Sequence, residues 1–261
     1  RMRTSQPHTL LQFSHNHSKN NQRMCEKVTA TGASTHSVDF SHVNMSVAAQ
    51  NDEVVRQTRQ YAPYQPGKSM LVLMTGTLDA GYDDEGLQPN GSDVRTRIGL
   101  FDNGINAGSA DNGNGLFFEK HGANFRIVQR ARGTDTAIEQ ANFNVNTMQG
   151  AGPGGISLDL TKSQIFFFDI AWLGVGRVRA GVVVCGRIYP MHTFRNSNSN
   201  PSTYMARATL PLRYEIKAVG ATNTQGSVNC ICGTAISEGG YEEMGVPFAV
   251  SSARGTEISV N

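Results

Sequence analysis

The stretch from Ser163 to Ile188, SQIFFFDIAWLGVGRVRAGVVVCGRI, limits what this chain can fold into more than any other. It reads as two strands, roughly Gln164–Leu173 and Arg177–Cys185, joined by Gly174-Val175-Gly176. A three-residue connection with glycine at both ends suits a hairpin whose turn needs a positive φ. If Leu173 faces Arg177, then Phe168, Ile170 and Trp172 share a face with Val178, Ala180 and Val182. Asp169 and Ala171 then share the opposite face with Arg177 and Arg179. A one-residue slip would mix the two faces, so burial should fix the register. In this register Asp169 lies diagonal to Arg179, within reach of a long side chain, and Asp169, Arg177 and Arg179 are expected to form a structural ion pair. The only tryptophan of the chain, Trp172, closes the first strand, and the hairpin is expected to centre the core.

The rest of the chain agrees with a β fold. Glycine is abundant at 28 of 261 residues, charged residues make up only 17%, and no run of twelve or more residues carries a 3.6-residue period. Short apolar or alternating runs recur instead, among them Val38–Val47, Val54–Tyr61, Met70–Leu78, Val94–Phe101, Leu116–Glu119, Phe125–Ala131, Arg213–Val219 and Gly226–Ile236. Turn-rich loops separate them. Residues 134–149 fit either a strand or a helical turn. The expected fold is all-β, an antiparallel β-sandwich of jelly-roll type with an extended N-terminal arm. The arm is expected over residues 1–35 and the sandwich domain over 36–261.

The net charge is only +2, which calls for no nucleic-acid partner. The arm is the exception. It holds Arg1, Arg3, Lys19, Arg23 and Lys27 against Glu26, a net of +4 that leaves the remainder near −2. Nucleic acid is therefore expected, if anywhere, only at the arm. Cys25, Cys185, Cys230 and Cys232 do not make a disulfide framework and are expected to be reduced. The apolar stretches are of strand length, so no membrane partner is expected.

Five phrases belong together: RQTRQYAPYQPGKS (56–69), RIGLFD with NGLFFE (97–102, 114–119), FFDIAWLGVGRVRAGVVVCGRIYPMHTF (167–194), YMARATLPLRYEI (204–216) and ICGTAISEGGY (231–241). The set resembles a family of virion structural proteins of tailed phages and large DNA viruses, over roughly residues 54–245. The resemblance implies a non-enzymatic capsid, vertex, neck or tail component. It would be located in the virion and partnered by copies of itself and by neighbouring virion proteins. It supplies no catalytic residues. The alternation NGLFFE…FRIVQR before the central hairpin also looks broadly like a concanavalin-type sandwich, a likeness of architecture only.

Candidate chemical sites are few. Asp102, Asn103, Asn106, Asp111, Asn112 and Asn114 offer oxygen ligands of the kind Ca²⁺ takes, but their spacing is not that of an EF-hand and Asn and Asp also favour plain turns. The acidic loop with Asp79, Asp83, Asp84 and Glu85 reads the same way. His15 with His17, and Cys230 with Cys232, each lack a second pair at zinc spacing. No cofactor is expected, and Ca²⁺ is the single metal to consider. Glycosidase chemistry would need two acids on neighbouring strand positions, and Glu119, Asp169 and Glu215 are the acids available. Tyr61 and Tyr64, on a loop stiffened by Pro63 and Pro66, form a candidate contact loop. Exposed aromatics beside Asn-rich loops give the alternative function, a carbohydrate-binding module for host attachment with a glycan as partner.

Overall fold

The computed structural model describes residues 6–81, 88–103, 113–152 and 154–240. Along these residues the strands are β1 (His8–Ser14), β2 (Met24–Thr29), β3 (Ala33–Ser37), β4 (His42–Val47), β5 (Glu53–Thr58), β6 (Met70–Thr77), β7 (Val94–Phe101) and β8 (Gly115–His121). They continue with β9 (Asn124–Ala131), β10 (Thr134–Glu139), β11 (Gln164–Ile170), β12 (Val178–Val184), β13 (Arg187–Phe194), β14 (Leu212–Ala218) and β15 (Gly226–Ser237). A 3-10 turn at Gln140–Asn142 follows β10, so residues 134–149 begin as strand and then turn.

The strands form two antiparallel sheets, the all-β sandwich of jelly-roll type that the residue pattern implies. The first sheet has the order β13-β12-β11-β6-β15-β4-β3, with β1 also paired to β15. The second has the order β10-β9-β8-β7-β14-β5-β2. The long strand β15 makes room for both neighbours on one side: Gly226–Cys230 pairs with β4, and Cys232–Ser237 pairs with β1.

Alternation sends one side of each sheet inward. Val72, Met74, Phe166, Phe168, Val182 and Val228 meet Ile98, Leu116, Phe118, Ile127, Tyr214 and Ile216 in one buried cluster. The Phe118 ring of the second sheet lies tilted against two rings of the first, 4.8 Å from Phe166 and 4.7 Å from Phe168. Such offset aromatic contacts add to the area buried. Tyr214 is fully buried, yet its hydroxyl lies 2.8 Å from the Thr75 carbonyl and 2.9 Å from that of Cys232, so its polar tip is satisfied across the sandwich. Gly76 provides the space, because a Cβ there would lie 2.6 Å from the Asn229 carbonyl and 3.2 Å from the Tyr214 ring.

The central hairpin keeps the expected faces but not the expected register. Phe168 pairs with Ala180, Asp169 with Arg179 and Ile170 with Val178. This is a two-residue displacement, which preserves which side chains point inward. The strands end earlier than expected because residues 171–177 all belong to the turn, where Leu173 and Gly174 take positive φ of 34° and 78°. Gly176 donates to the Trp172 carbonyl at 2.6 Å, so tight that a Cβ on Gly176 would overlap the Ala171 carbonyl oxygen. Trp172 is thereby displaced from the core to its margin.

Asp169 consequently sits directly opposite Arg179, whose Nε donates to Asp169 Oδ2 at 2.7 Å and whose Nη2 contacts the same oxygen. Arg177 lies exposed in the turn, its carbonyl accepting from the Ala171 amide at 3.1 Å. The Arg179 side chain is 44% exposed, so solvent screens the pair. Arg179→Ala is expected to lower stability by less than about 1 kcal/mol in urea unfolding.

The boundary expected at residue 35 is not a structural division. β1 pairs with β15, β2 with β5 and β3 with β4, so residues 8–37 contribute to both sheets. These strands lie at sheet margins and bury only a few apolar side chains, Leu11, Phe13 and Met24. Their composition therefore looks like a solvated arm although their backbone is paired. Likewise Val38 and Phe40 are not part of a strand; they are exposed in the turn before β4.

Candidate functional site

The outward side of the second sheet carries the densest polar chemistry among the described residues. Alternation in β7, β8, β9, β10 and β14 places Arg97, Glu119, Arg126, Glu139 and Glu215 on this side. Strand pairing then sets them in one row, Glu215–Arg97–Glu119–Arg126–Glu139. Charges alternate along the row, the favourable cross-strand arrangement. Arg97 joins the two central acids: its Nε donates to Glu119 Oε2 at 2.6 Å and its Nη1 to Glu215 Oε1 at 3.2 Å. Glu215 also accepts from Arg95 Nη2 at 3.3 Å and from Arg213 Nη2 at 2.7 Å. Arg126 Nε lies 3.3 Å from Glu119 Oε1.

Beside this row Phe101, Phe117 and Val128 form a second, small apolar cluster. The Phe101 and Phe117 rings are 4.7 Å apart. Arg97 and Arg130 lie over the Phe117 ring at 4.8 and 5.0 Å, and Arg213 lies over Phe101 at 5.2 Å. Arg130 is held in turn by a two-point bond to Asp135, at 2.6 and 2.8 Å. Guanidinium groups placed over aromatic rings and clamped by carboxylates are fixed in direction.

The electrostatics follow from this packing. Burial alone would raise the Glu215 pKa, but Arg213, Arg97 and Arg95 override it and hold the carboxyl at about 2. A glycosidase general acid must carry a proton at its working pH, which requires the opposite shift. Glu119 and Glu215 thus share a face and an arginine, and both are committed to ion pairs. Asp169, the third acid considered, belongs to the other sheet.

The remaining sequence candidates are dispersed. Tyr61 is exposed at 41%. Tyr64 is tied to the hairpin turn, its hydroxyl accepting from the Leu173 amide at 3.2 Å and its ring meeting Trp172 edge-on at 5.5 Å. Tyr64 therefore braces the turn, while Tyr61 is exposed three residues before it. Of the candidate Ca²⁺ loop, Asn106, Asp111 and Asn112 lie outside the described residues. Asp102 accepts from the Asn114 amide at 2.9 Å and from Arg207 at 2.8 Å. The Asn114 side-chain oxygen accepts from the Arg132 and Ala206 amides. These oxygens serve as loop fasteners. Asp79 pairs with Lys120 at 3.0 Å; Asp83, Asp84 and Glu85 lie outside the described residues. His15 is buried against the Ile231 carbonyl, and all four cysteines are free thiols. Among the described residues no three His, Cys, Asp or Glu side chains gather as a metal site. No helix among the described residues is long and apolar enough to cross a membrane.

No family model matches the chain, and no curated protein matches it. Solved structures do. A protein of unknown function from Shewanella oneidensis MR-1 is 11% identical with a TM-score of 0.53, over 91% of this chain and 89% of that one. The β-glucanase of Bacillus licheniformis is 9% identical with a TM-score of 0.53, over 86% and 97%. Peanut lectin is 11% identical with a TM-score of 0.50, over 89% and 98%. At such identities the likeness establishes the fold.

It also corrects an expectation. The resemblance to virion structural proteins is not upheld: the solved structures that share this fold include a glucanase and a lectin. The virion location and the partnership with copies of itself and neighbouring virion proteins fall with it. The N-terminal segment expected to be an extended arm is built into the sheets through β1 and β2.

Proposed function

We propose that this chain is a carbohydrate-binding β-sandwich domain that holds its ligand without cleaving it. The likeness in fold to a lectin and a β-glucanase supports glycan as the ligand class. One observation favours binding over hydrolysis: Glu215 and Glu119, the acids best placed to act together, are both held in ion pairs by arginines, and Glu215 stays ionised down to about pH 2. Carboxylates engaged in ion pairs of this kind are poorly suited to activate water or a leaving group.

Affinity electrophoresis through gels containing soluble polysaccharides, paired with a reducing-end assay on the same polysaccharides, tests this reading. Retardation by at least one polysaccharide with no new reducing ends is the expected result. Sugar release that is abolished by Glu119→Gln or Glu215→Gln would make the protein a hydrolase. Free migration in every gel would remove glycan as the ligand class.

A further inference from the structure

A cleft of about 380 Å³ opens at the end of the sandwich where residues 88–92 lead into β7 and residues 222–225 lead into β15. That size falls within the range of small-ligand sites. Its lining is chemically distinctive. Gln88, Asn90, Ser92, Thr222, Asn223 and Gln225 present carboxamides and hydroxyls, and among the described residues that line it none is charged. The outward face of the second sheet, by contrast, is crowded with guanidinium and carboxylate groups.

The two walls are fastened to each other and to the core. Gly91 donates to the Gln225 carbonyl at 2.8 Å and Asp93 to the Asn223 carbonyl at 3.0 Å. Asn223 Nδ2 donates to Ser92 Oγ at 3.2 Å. The backbones approach so closely that a Cβ on Gly91 would lie 2.1 Å from the Asn223 carbonyl oxygen. Asn90 is buried with its amide spent on the Leu78 and Ser227 carbonyls and the Ser227 amide. Thr224 donates to the Ala48 carbonyl at 2.7 Å. The Asp93 carboxylate, next to Ser92, accepts from the Thr222 amide and hydroxyl.

Two lining side chains are left over. Gln88 and Gln225 are exposed, and their carboxamides hold no hydrogen bond to another described residue. Each offers two donors and an acceptor, the complement of a hydroxyl, which both donates and accepts. Rigid walls with a few unspent amides are a pre-organised binding geometry.

From this we infer that the cleft takes the end of an uncharged glycan, a chain of hydroxyl-bearing sugars without carboxylate or sulfate. The inference rests on the carbohydrate-binding reading and adds to it the place of binding and the class of glycan.

Isothermal titration with a panel of neutral and uronate-containing oligosaccharides, at ~50 and ~500 mM salt, tests it. The panel is run on the wild-type chain, on the Gln88→Ala/Gln225→Ala double variant and on Lys217→Gln. The double variant changes only exposed side chains, and circular dichroism checks its fold. Neutral oligosaccharides are expected to bind with the same affinity at both salt concentrations. The double variant should weaken binding at least tenfold, and Lys217→Gln, on the sheet face, should leave it within twofold. Binding confined to uronates, weakened by salt or by Lys217→Gln, or unchanged in the double variant would overturn the cleft while leaving a carbohydrate-binding protein. Binding of no oligosaccharide in the panel would overturn both.

Discussion

Glu215→Ala is expected to cost about 3–5 kcal/mol of folding stability, a large part of what a domain of this kind has. Glu215 is 1% exposed and lies among the guanidinium groups of Arg95, Arg97 and Arg213. Removing it leaves three like charges close together, two of them nearly buried, with Glu119 and Asp135 as remaining nearby acids. The cost is therefore that of uncompensated charge and not of one lost hydrogen bond. Urea unfolding of the variant should show a lower midpoint at unchanged slope. A loss below about 1 kcal/mol would mean that water reaches these arginines freely. The same group has a pH signature. Its carboxyl titrates near 2 in the fold against an ordinary value of 4.5. Its folded pKa is depressed, so its contribution is complete above 4.5 and is lost as pH falls from 4.5 toward 2. At roughly 1.4 kcal/mol per pH unit the contribution amounts to about 3 kcal/mol.

The second large effect is expected at milder acidity and comes from His15. Its ring is fully buried between the sheets, edge-on to Phe13 at 5.5 Å, with Nδ1 2.9 Å from the Ile231 carbonyl. That carbonyl can only accept, so Nδ1 carries the proton of the neutral ring. Among the described residues Nε2 is buried without a hydrogen-bond partner. Protonating Nε2 would place a charge in the core beside the buried Arg56 and near His36. Burial first, then Arg56, lower the His15 pKa from the ordinary 6.5 to about 4. The carbonyl bonds from Ile231 and Cys230 oppose this only in part. Between these values the unfolded chain binds a proton that the folded chain refuses, so stability is complete above 6.5 and falls as pH drops from 6.5 toward 4. The loss is about 3 kcal/mol, and His42, His121 and His192, also lowered mainly by burial, add to it in the same direction. His15→Asn keeps a donor for Ile231 but cannot titrate. It is expected to flatten the stability profile between pH 6.5 and 4, as measured by thermal unfolding across that range. A profile as steep as that of the wild type would assign the acid sensitivity elsewhere.

How far the chain could be read from its residues depended on distance along it. The faces of β11 and β12 were legible because Phe168, Ile170, Val178 and Ala180 alternate within one short segment. The two-residue register was not, because it depends on Leu173 adopting a positive φ, which its residue type disfavours. β1 to β3 were read as a polar arm because a margin strand buries little; Leu11, Phe13 and Met24 are sparse apolar marks in a polar background. Glu119 and Glu215 were visible as acids on strands. Their sharing of Arg97 was not, since it needs β7 to lie between β8 and β14. The alternation of Arg95 and Arg97 in β7 and of Arg213 and Glu215 in β14 was the available signal for that face. The cleft gave no local signal. Gln88 and Gln225 are brought together by β6, β7 and β15, and amide-rich loops read alone are only turns. Virion-like phrases spanning β5 to β15 carried a functional expectation that the fold did not support.

The most direct test of the carbohydrate-binding account is saturation-transfer NMR on a panel of neutral oligosaccharides, with the ligand spectrum recorded before and after overnight incubation. The account predicts transfer from the protein to the sugar protons of at least one oligosaccharide, whose spectrum is unchanged the next day. Absence of transfer to every sugar, or the appearance of new reducing-end signals, would contradict it.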